Sequence, residues 1–423
     1  MTRALVIQLA RFGDLVQTKR LVLTLATQQL THLCVDRSLA PLARLLYPQT
    51  TVHPIAAHGG SPAELATFNR EALAALAAQN FTCVYNLNHS PLNRALARLF
   101  PPETVRGHFA DKGQDLRSPW VDLAFRWTTQ RRLSPVNLAD FWAFLHPSPL
   151  PPHTINPVAL PGGKGLGVVL AGREARRSLP PHILAPCVRA AFTSLGGPDI
   201  YLLGAQNEHA HARDLTRRFS SDMLDKVHNL CGKTDWAGLI DALADLDCVL
   251  SPDTGAMHLA AHLGAPVQAF FLSSAWCHET GPYGAGHHVW QANAECLPCL
   301  ESAPCPLDVQ CLKAFAQHGF LSAFAKSLGK GGLAGAQALP PQILHLESKL
   351  DVLGSTWTTR QGDEPHGMQR SALRALLSEY LGLASCREGH AQAAALLYQE
   401  KDWMLTSLTP QSGTREYYAR TSP

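Results

Sequence analysis

Short runs of apolar residues recur along the chain, separated by longer stretches in which apolar positions return every three or four residues. In the first half the runs fall at 4–10, 31–36, 51–55 and 82–88, and each reads as a short buried strand. The clearest helix start is Ser61-Pro62-Ala63-Glu64, where Ser caps, Pro suits the first turn and Glu stands three residues after the cap. It predicts a helix through Ala78. The second half begins after a proline-rich stretch at 147–161, whose extended preference suits a linker. Strand candidates then recur at 166–171, 199–204, 247–251 and 266–272. Parallel strands need a long return connection, so this alternation predicts an α/β protein with two parallel-sheet domains, 1–155 and 162–330. Residues 331–423 differ. Gly329-Lys330-Gly331-Gly332 punctuates the chain, and helical patterns at 369–385 and 389–404 precede a polar tail. This segment reads as a small helical extension ending in a flexible tail.

Composition narrows the classes. A chain of 423 residues exceeds one ordinary core, and 46% hydrophobic with 16% charged residues excludes disorder for most of it. With 36 basic against 33 acidic residues the formal charge is only +3, without the concentrated positive charge of a dedicated nucleic-acid binder. No apolar run reaches the roughly 18 residues of a transmembrane helix. The apolar stretch after Arg3 is broken by Arg11-Phe12-Gly13-Asp14 with no small-residue cleavage site following, so it reads as a first strand and not a secretion signal. Eleven cysteines, an odd number without a secretory segment, suit a reducing cytoplasm.

Several common signatures fail. Gly163-Lys164-Gly165-Leu166-Gly167 precedes a strand, whereas a dinucleotide fingerprint follows one and opens a helix. There is no phosphate-loop motif, no His-Glu-x-x-His and no Gly-x-Ser-x-Gly elbow. One stretch holds. In 247–261 an apolar strand ends in Ser251-Pro252-Asp253, and Asp253 or Thr254 caps a helix opening at Gly255. A helix N-terminus at the carboxyl end of a strand is a ready anion site, although the bare pattern also describes an ordinary capped helix.

Three segments share a resemblance. Residues 5–18, with Arg11-Phe12-Gly13-Asp14 at their centre, resemble the opening of the bacterial heptosyltransferases, glycosyltransferase family 9. Residues 253–267, Asp-Thr-Gly-Ala-Met-His-Leu-Ala-Ala-His-Leu-Gly-Ala-Pro-Val, are similar to that family's second signature, and Thr280-Gly281-Pro282-Tyr283-Gly284 to its following loop. The resemblance covers about residues 1–330 and leaves the C-terminal extension out. It implies a GT-B architecture, two Rossmann-like domains facing across a cleft, and inverting transfer of a sugar from a nucleotide donor without a required metal or other cofactor. ADP-heptose is the implied donor, with a lipopolysaccharide-core sugar or another anionic surface glycan or glycolipid as acceptor. The implied location is the cytoplasm, peripheral on the inner membrane.

The resemblance also distributes roles. Asp14 matches the catalytic aspartate, since inverting transfer needs a base near the acceptor hydroxyl, and Gly13 allows its turn. Arg177, in Arg176-Arg177-Ser178-Leu179-Pro180, falls where the family carries a lysine and keeps its charge in a different shape. Gly172 and Arg173 stand at phosphate-contacting positions. Glu208 matches the glutamate that holds the donor ribose. Asp253, Thr254, Gly255, Met257 and His258 form the donor-side signature, with Asp253 toward sugar hydroxyls and His258 toward phosphates. The family's Thr-Thr-Pro is replaced here by Thr18-Lys19-Arg20, a departure on the acceptor side.

Two further clusters stand out. Cys296, Cys299, Cys305 and Cys311 are dense, with His278, His287 and His288 close in sequence, and form a candidate structural zinc knuckle with free thiols as the alternative. Between 92 and 132 there are eight basic residues against four acidic ones, which suits either an anionic acceptor, an acidic membrane surface, or plain solvated helix faces. Alternatives remain within the same fold, another nucleotide sugar or a protein acceptor, and outside catalysis, a silent nucleotide-sugar-binding protein.

Overall fold

The structure, a computed structural model, describes residues 2–128, 130–170, 175–300, 303–329, 337–384 and 390–397. Two sheets carry the molecule. The first runs in the order β3-β2-β1-β4-β5-β6, built from β1 (Arg3–Gln8), β2 (Leu30–Asp36), β3 (Thr51–Ile55), β4 (Cys83–Asn86), β5 (Val105–Asp111) and β6 (Gln114–Arg117). All its pairings are parallel except β5 with β6. In β1 every residue from Ala4 to Gln8 is buried, the signature of a strand covered by helices on both faces. The helix Pro62–Ala77 starts as its sequence requires: the Ser61 hydroxyl accepts from the Glu64 amide at 3.3 Å, and the Glu64 carboxylate accepts from the Ser61 amide at 2.6 Å.

The second sheet runs β14-β13-β12-β11-β10-β7-β8-β9, from β7 (Leu166–Val169), β8 (Ile200–Leu203), β9 (Val227–Asn229), β10 (Cys248–Pro252), β11 (Val267–Phe271), β12 (His288–Ala292), β13 (Ile343–Leu350) and β14 (Ser355–Gln361). It is parallel from β9 to β12, with Val249 opposite Val267 in the central pair. An antiparallel hairpin, β13–β14, closes its edge.

That hairpin departs from the helical extension expected after residue 331. The strand β13 is buried on both faces at Ile343, Leu344, His345 and Leu346, so no alternation marks it, and His345 is accommodated by stacking on Trp290 at 3.9 Å between ring centroids. Past the hairpin the chain returns to the first domain. The helix Gly367–Tyr380 places Leu373 and Leu377 in one core with Leu21, Trp120 and Trp127, and Ala393 and Leu397 of the helix His390–Leu397 join them. The second domain therefore extends through the hairpin, and the last described helices belong to the first domain's core. No helix among the described residues is long and apolar enough to cross a membrane.

The domains meet around one buried carboxylate. Asp140, on the helix Leu138–Ala143, faces the Arg20 guanidinium at 2.6 Å, the Tyr283 hydroxyl at 2.7 Å and the Ser355 amide at 2.8 Å. Arg20 is only 2% exposed and also donates to the carbonyls of Leu150 and Leu353. Burial pushes the Asp140 pKa up, while Arg20 and the donors around it hold the carboxylate in its charged form. Removing one member of a buried pair leaves the other charge without a counter-ion, which is far more damaging than the net worth of the pair. Asp140→Ala is expected to lower unfolding stability by about 3–5 kcal/mol in denaturant titration, well beyond the effect of an alanine replacing the exposed Asp115 that pairs with Arg94.

Candidate active site in the interdomain cleft

The carboxyl ends of the two sheets face a shared cavity of about 740 Å³. Its walls are the first turns that leave the strands, where parallel α/β sheets collect ligand-binding groups. From the first domain come Arg11, Phe12, Gly13, Asp14 and Gln17; from the second come Arg177, Glu208, the turn Thr234-Asp235-Trp236, Asp253 to Ala256, His258 and Thr280.

The helices Phe12–Gln17 and Gly255–Leu263 meet here, and they meet because both carry glycine at the contact. A Cβ on Gly13 would lie 3.1 Å from His258 Cδ2, and one on Gly255 would lie 2.1 Å from the Phe12 ring. The first turn of the helix Gly255–Leu263 is capped by the Thr254 hydroxyl, which accepts from the Met257 amide at 3.4 Å and sits 3.2 Å from the Ser251 hydroxyl.

Charges are confined to a few groups. The Asp14 carboxylate accepts from the Arg11 amide at 3.1 Å; burial pushes its pKa above the usual carboxylate value, with His258 pulling down and the Asp253 carboxylate pushing up. Asp253 pairs with Arg177 at 2.5 Å and accepts from the Thr280 hydroxyl at 3.2 Å. Burial raises its pKa as well, against Arg177. His258 lies 3.7 Å from Asp253 through Nε2, and burial lowers its pKa to about 4, so the ring is neutral at neutral pH.

The structure brings Gly13, Asp14, Arg177, Glu208, Asp253, Thr254, Gly255 and His258 to one cavity. It divides the others. Met257 turns its side chain into the core beneath the cleft, with Leu259 and Phe271, and offers only its backbone. Gly172 and Arg173 lie outside the described residues. Glu208 reaches the cavity while its carboxylate accepts from the Ala205 amide at 2.6 Å, so it also caps its own turn. Burial raises its pKa.

Cys296, Cys299, Cys305 and Cys311 line a separate cavity of about 440 Å³, with the Cys305 sulfur accepting from the Val309 amide. None of the three nearby histidines lines it: His278 faces Glu364 at 3.4 Å, His288 faces His345 at 3.0 Å, and His287 is buried elsewhere. Among the described residues no group of three or more histidine, cysteine, aspartate or glutamate side chains is arranged to hold a metal ion.

Sequence reasoning counted Arg131 only as part of the basic run at 92–132 and missed Glu279 and Trp236. Arg131 grips Glu279 through Nε at 3.0 Å and Nη2 at 2.5 Å, and donates to the Ser274 carbonyl. Phe12 packs on Trp236 at 4.9 Å between centroids, and the Trp236 indole donates to the Ser38 carbonyl across the domain boundary. The only signals were the cap Asp235, whose side chain accepts from the Gly238 amide at 2.8 Å, and the loop motif beginning at Thr280.

Residues 192–308 match the family model described as glycosyltransferase family 9 (heptosyltransferase). The structure of E. coli heptosyltransferase WaaC with ADP is similar at TM-score 0.52 and 20% identity, covering 69% of this chain and 93% of that one. E. coli ADP-heptose lps heptosyltransferase II matches at 0.48 and 15% identity, covering 75% and 98%. A glycosyl transferase family 9 protein of Veillonella parvula matches at 0.49 and 14%, covering 70% and 88%. No curated protein matches the sequence. The chain thus has the GT-B heptosyltransferase fold, and the middle of its second domain is similar in sequence to family 9.

The glycine contact gives a direct check. Gly255→Ala forces the Phe12 ring and its helix apart and is expected to lower stability by about 1–3 kcal/mol, as overpacking does, with the loss read as a reduced thermal unfolding midpoint.

Proposed function

We propose, from a heptosyltransferase-like fold as premise, that this protein is an inverting glycosyltransferase moving heptose from ADP-heptose to a sugar of the lipopolysaccharide core or another surface glycan. The observation that carries this reading is a cleft holding a desolvated carboxylate, Asp14, opposite a helix N-terminus flanked by Arg177.

In the proposed reaction the acceptor hydroxyl gives its proton to Asp14 while its oxygen attacks the anomeric carbon. The bond from that carbon to the diphosphate breaks with inversion, and the electron pair leaves with ADP. A carboxylate desolvated in a cleft is a stronger base than one in water, and a raised pKa serves general-base catalysis. The departing diphosphate gathers negative charge, and first-turn amides after Thr254 together with Arg177 are aimed at it without metal participation. Arg177 is held by Asp253, which limits its motion and orients its planar fork. Glu208 is placed to accept from ribose hydroxyls. His258, neutral, donates or accepts without adding charge. A cytoplasmic protein, peripheral on the inner membrane, would meet both a soluble donor and a membrane-linked glycan.

The base must be ionised to act, so activity is present above the Asp14 pKa and lost as pH falls through it. kcat/KM for ADP release from ADP-heptose is expected to fall on the acid side through one ionisation lying above the ordinary carboxylate value. Asp14→Asn is expected to lower kcat by about 10²–10⁴ with ADP binding retained. Equal turnover by wild type and Asp14→Asn would remove the assigned base, and binding with no turnover by wild type would favour a silent nucleotide-sugar-binding protein.

A further inference from the structure

A second cavity of about 430 Å³ opens in the first domain and touches the donor cleft, because Thr280 lines both. Its walls are aromatic: Phe125, Trp127, Phe141 and Trp142 line it, together with His89 and His108. Phe141 and Trp142 pack at 4.6 Å between centroids, and His108 meets the Phe125 edge at 6.1 Å. The Trp142 side chain is 7% exposed and its indole N–H has no partner in the protein, an unmet donor in the wall of an aromatic cavity.

The cavity is electrically neutral. Arg131 and Glu279 are the only fully charged residues lining it among those described, and they neutralise each other. Burial, with help from His89 and Arg117, lowers the His108 pKa to about 4, so that ring is uncharged. The basic run at 92–132 does not supply a free cation to this wall. Arg94 pairs with Asp115; Arg117 lies over one face of the Phe125 ring, 4.2 Å from its centroid, and pairs with Asp122 at 2.9 Å; Arg106 and Arg132 donate to backbone carbonyls.

We propose that this cavity is the acceptor subsite and that it takes an uncharged sugar ring, packed by its apolar face against the aromatic wall that includes Phe141 and Phe125, in place of the anionic group the basic run suggested. The proposal rests on the transferase reading above, and it specifies which acceptor that site accepts. Pyranose rings present a face of C–H groups that suits an aromatic wall, and hydroxyls that suit the unpartnered Trp142 N–H and the nearby imidazoles. A phosphate or carboxylate brought here would be desolvated with no unpaired cation to meet it.

The test uses the full chain with saturating ADP and ligand-detected NMR. Neutral probes are the methyl glycosides of hexoses, N-acetylhexosamines and heptoses; charged probes are glucuronate and glucose 6-phosphate; a serine-rich peptide tests a protein acceptor. At least one neutral glycoside is expected to bind, with charged probes weaker by about tenfold or more. Phe141→Ala and Phe125→Ala are each expected to weaken it by several-fold, and the pair by about tenfold, while ADP affinity stays unchanged. Phe125 is 41% exposed, so its alanine variant tests the wall even if Phe141→Ala destabilises the fold. Tighter binding of the charged probes overturns the proposal, as does peptide binding without sugar binding, absence of any sugar binding by ADP-loaded protein, or unchanged binding in Phe125→Ala. Failure of ADP itself to bind would instead strike the transferase reading.

Discussion

Asp140 is the fixed point of the molecule, a buried carboxylate shared by Arg20 from the helix after the Asp14 turn, Tyr283 from the loop after Thr280, and Ser355 from the edge hairpin. Each of those segments runs into the cleft or into the return of the chain to the first domain. A charge at this depth is tolerated only when its partners are all in place, so the arrangement holds the two sheets at one relation to each other. The cleft inherits that definition: Asp14 lies six residues before Arg20, and Thr280 lies three residues before Tyr283. Further crossings from Arg131, Arg132 and Asn137 reinforce it.

Within the cleft the same physics is turned to chemistry. Burial raises Asp14, Asp253 and Glu208 together, and the groups differ in what meets them. Asp253 has Arg177 and Thr280; Glu208 has the Ala205 amide; Asp14 has the Arg11 amide and neutral His258. On the proposed reading, Asp14 is the carboxylate that exchanges a proton, and Arg177, held by Asp253, is the cation that meets the leaving anion. The neighbouring aromatic cavity adds little charge, since Arg131 and Glu279 in its lining pair with each other.

Much of this was legible in the chain. The short apolar runs marked β1 to β4 and the core of the second sheet, and Ser61 to Glu64 marked a helix start. The motif residues Asp14, Arg177, Glu208, Asp253 and Thr254 do converge on one cavity. What was not legible depends on distant partners. The strand β6 is exposed throughout and β9 is three residues long, so neither carries a hydrophobic pattern. The strand β13 holds a histidine inside the sheet because Trp290, more than fifty residues earlier, stacks on it. Lys19-Arg20, read as an acceptor-side departure, turns out to be anchoring: Lys19 donates to Asn156 at 2.9 Å and Arg20 is enclosed around Asp140. Which members of the basic run are paired was not legible in a linear charge count: Arg94 meets Asp115, Arg117 meets Asp122, and Arg131 meets Glu279 in the other domain.

The central claim is that the cleft binds an adenosine diphosphate donor, with Glu208 at the ribose. Isothermal titration of ADP, UDP and GDP into wild type and Glu208→Ala tests it most directly. The account predicts that ADP binds in preference to the other two and that Glu208→Ala weakens it. Absence of nucleotide binding would contradict the account, and a preference for another base would contradict the donor assigned here.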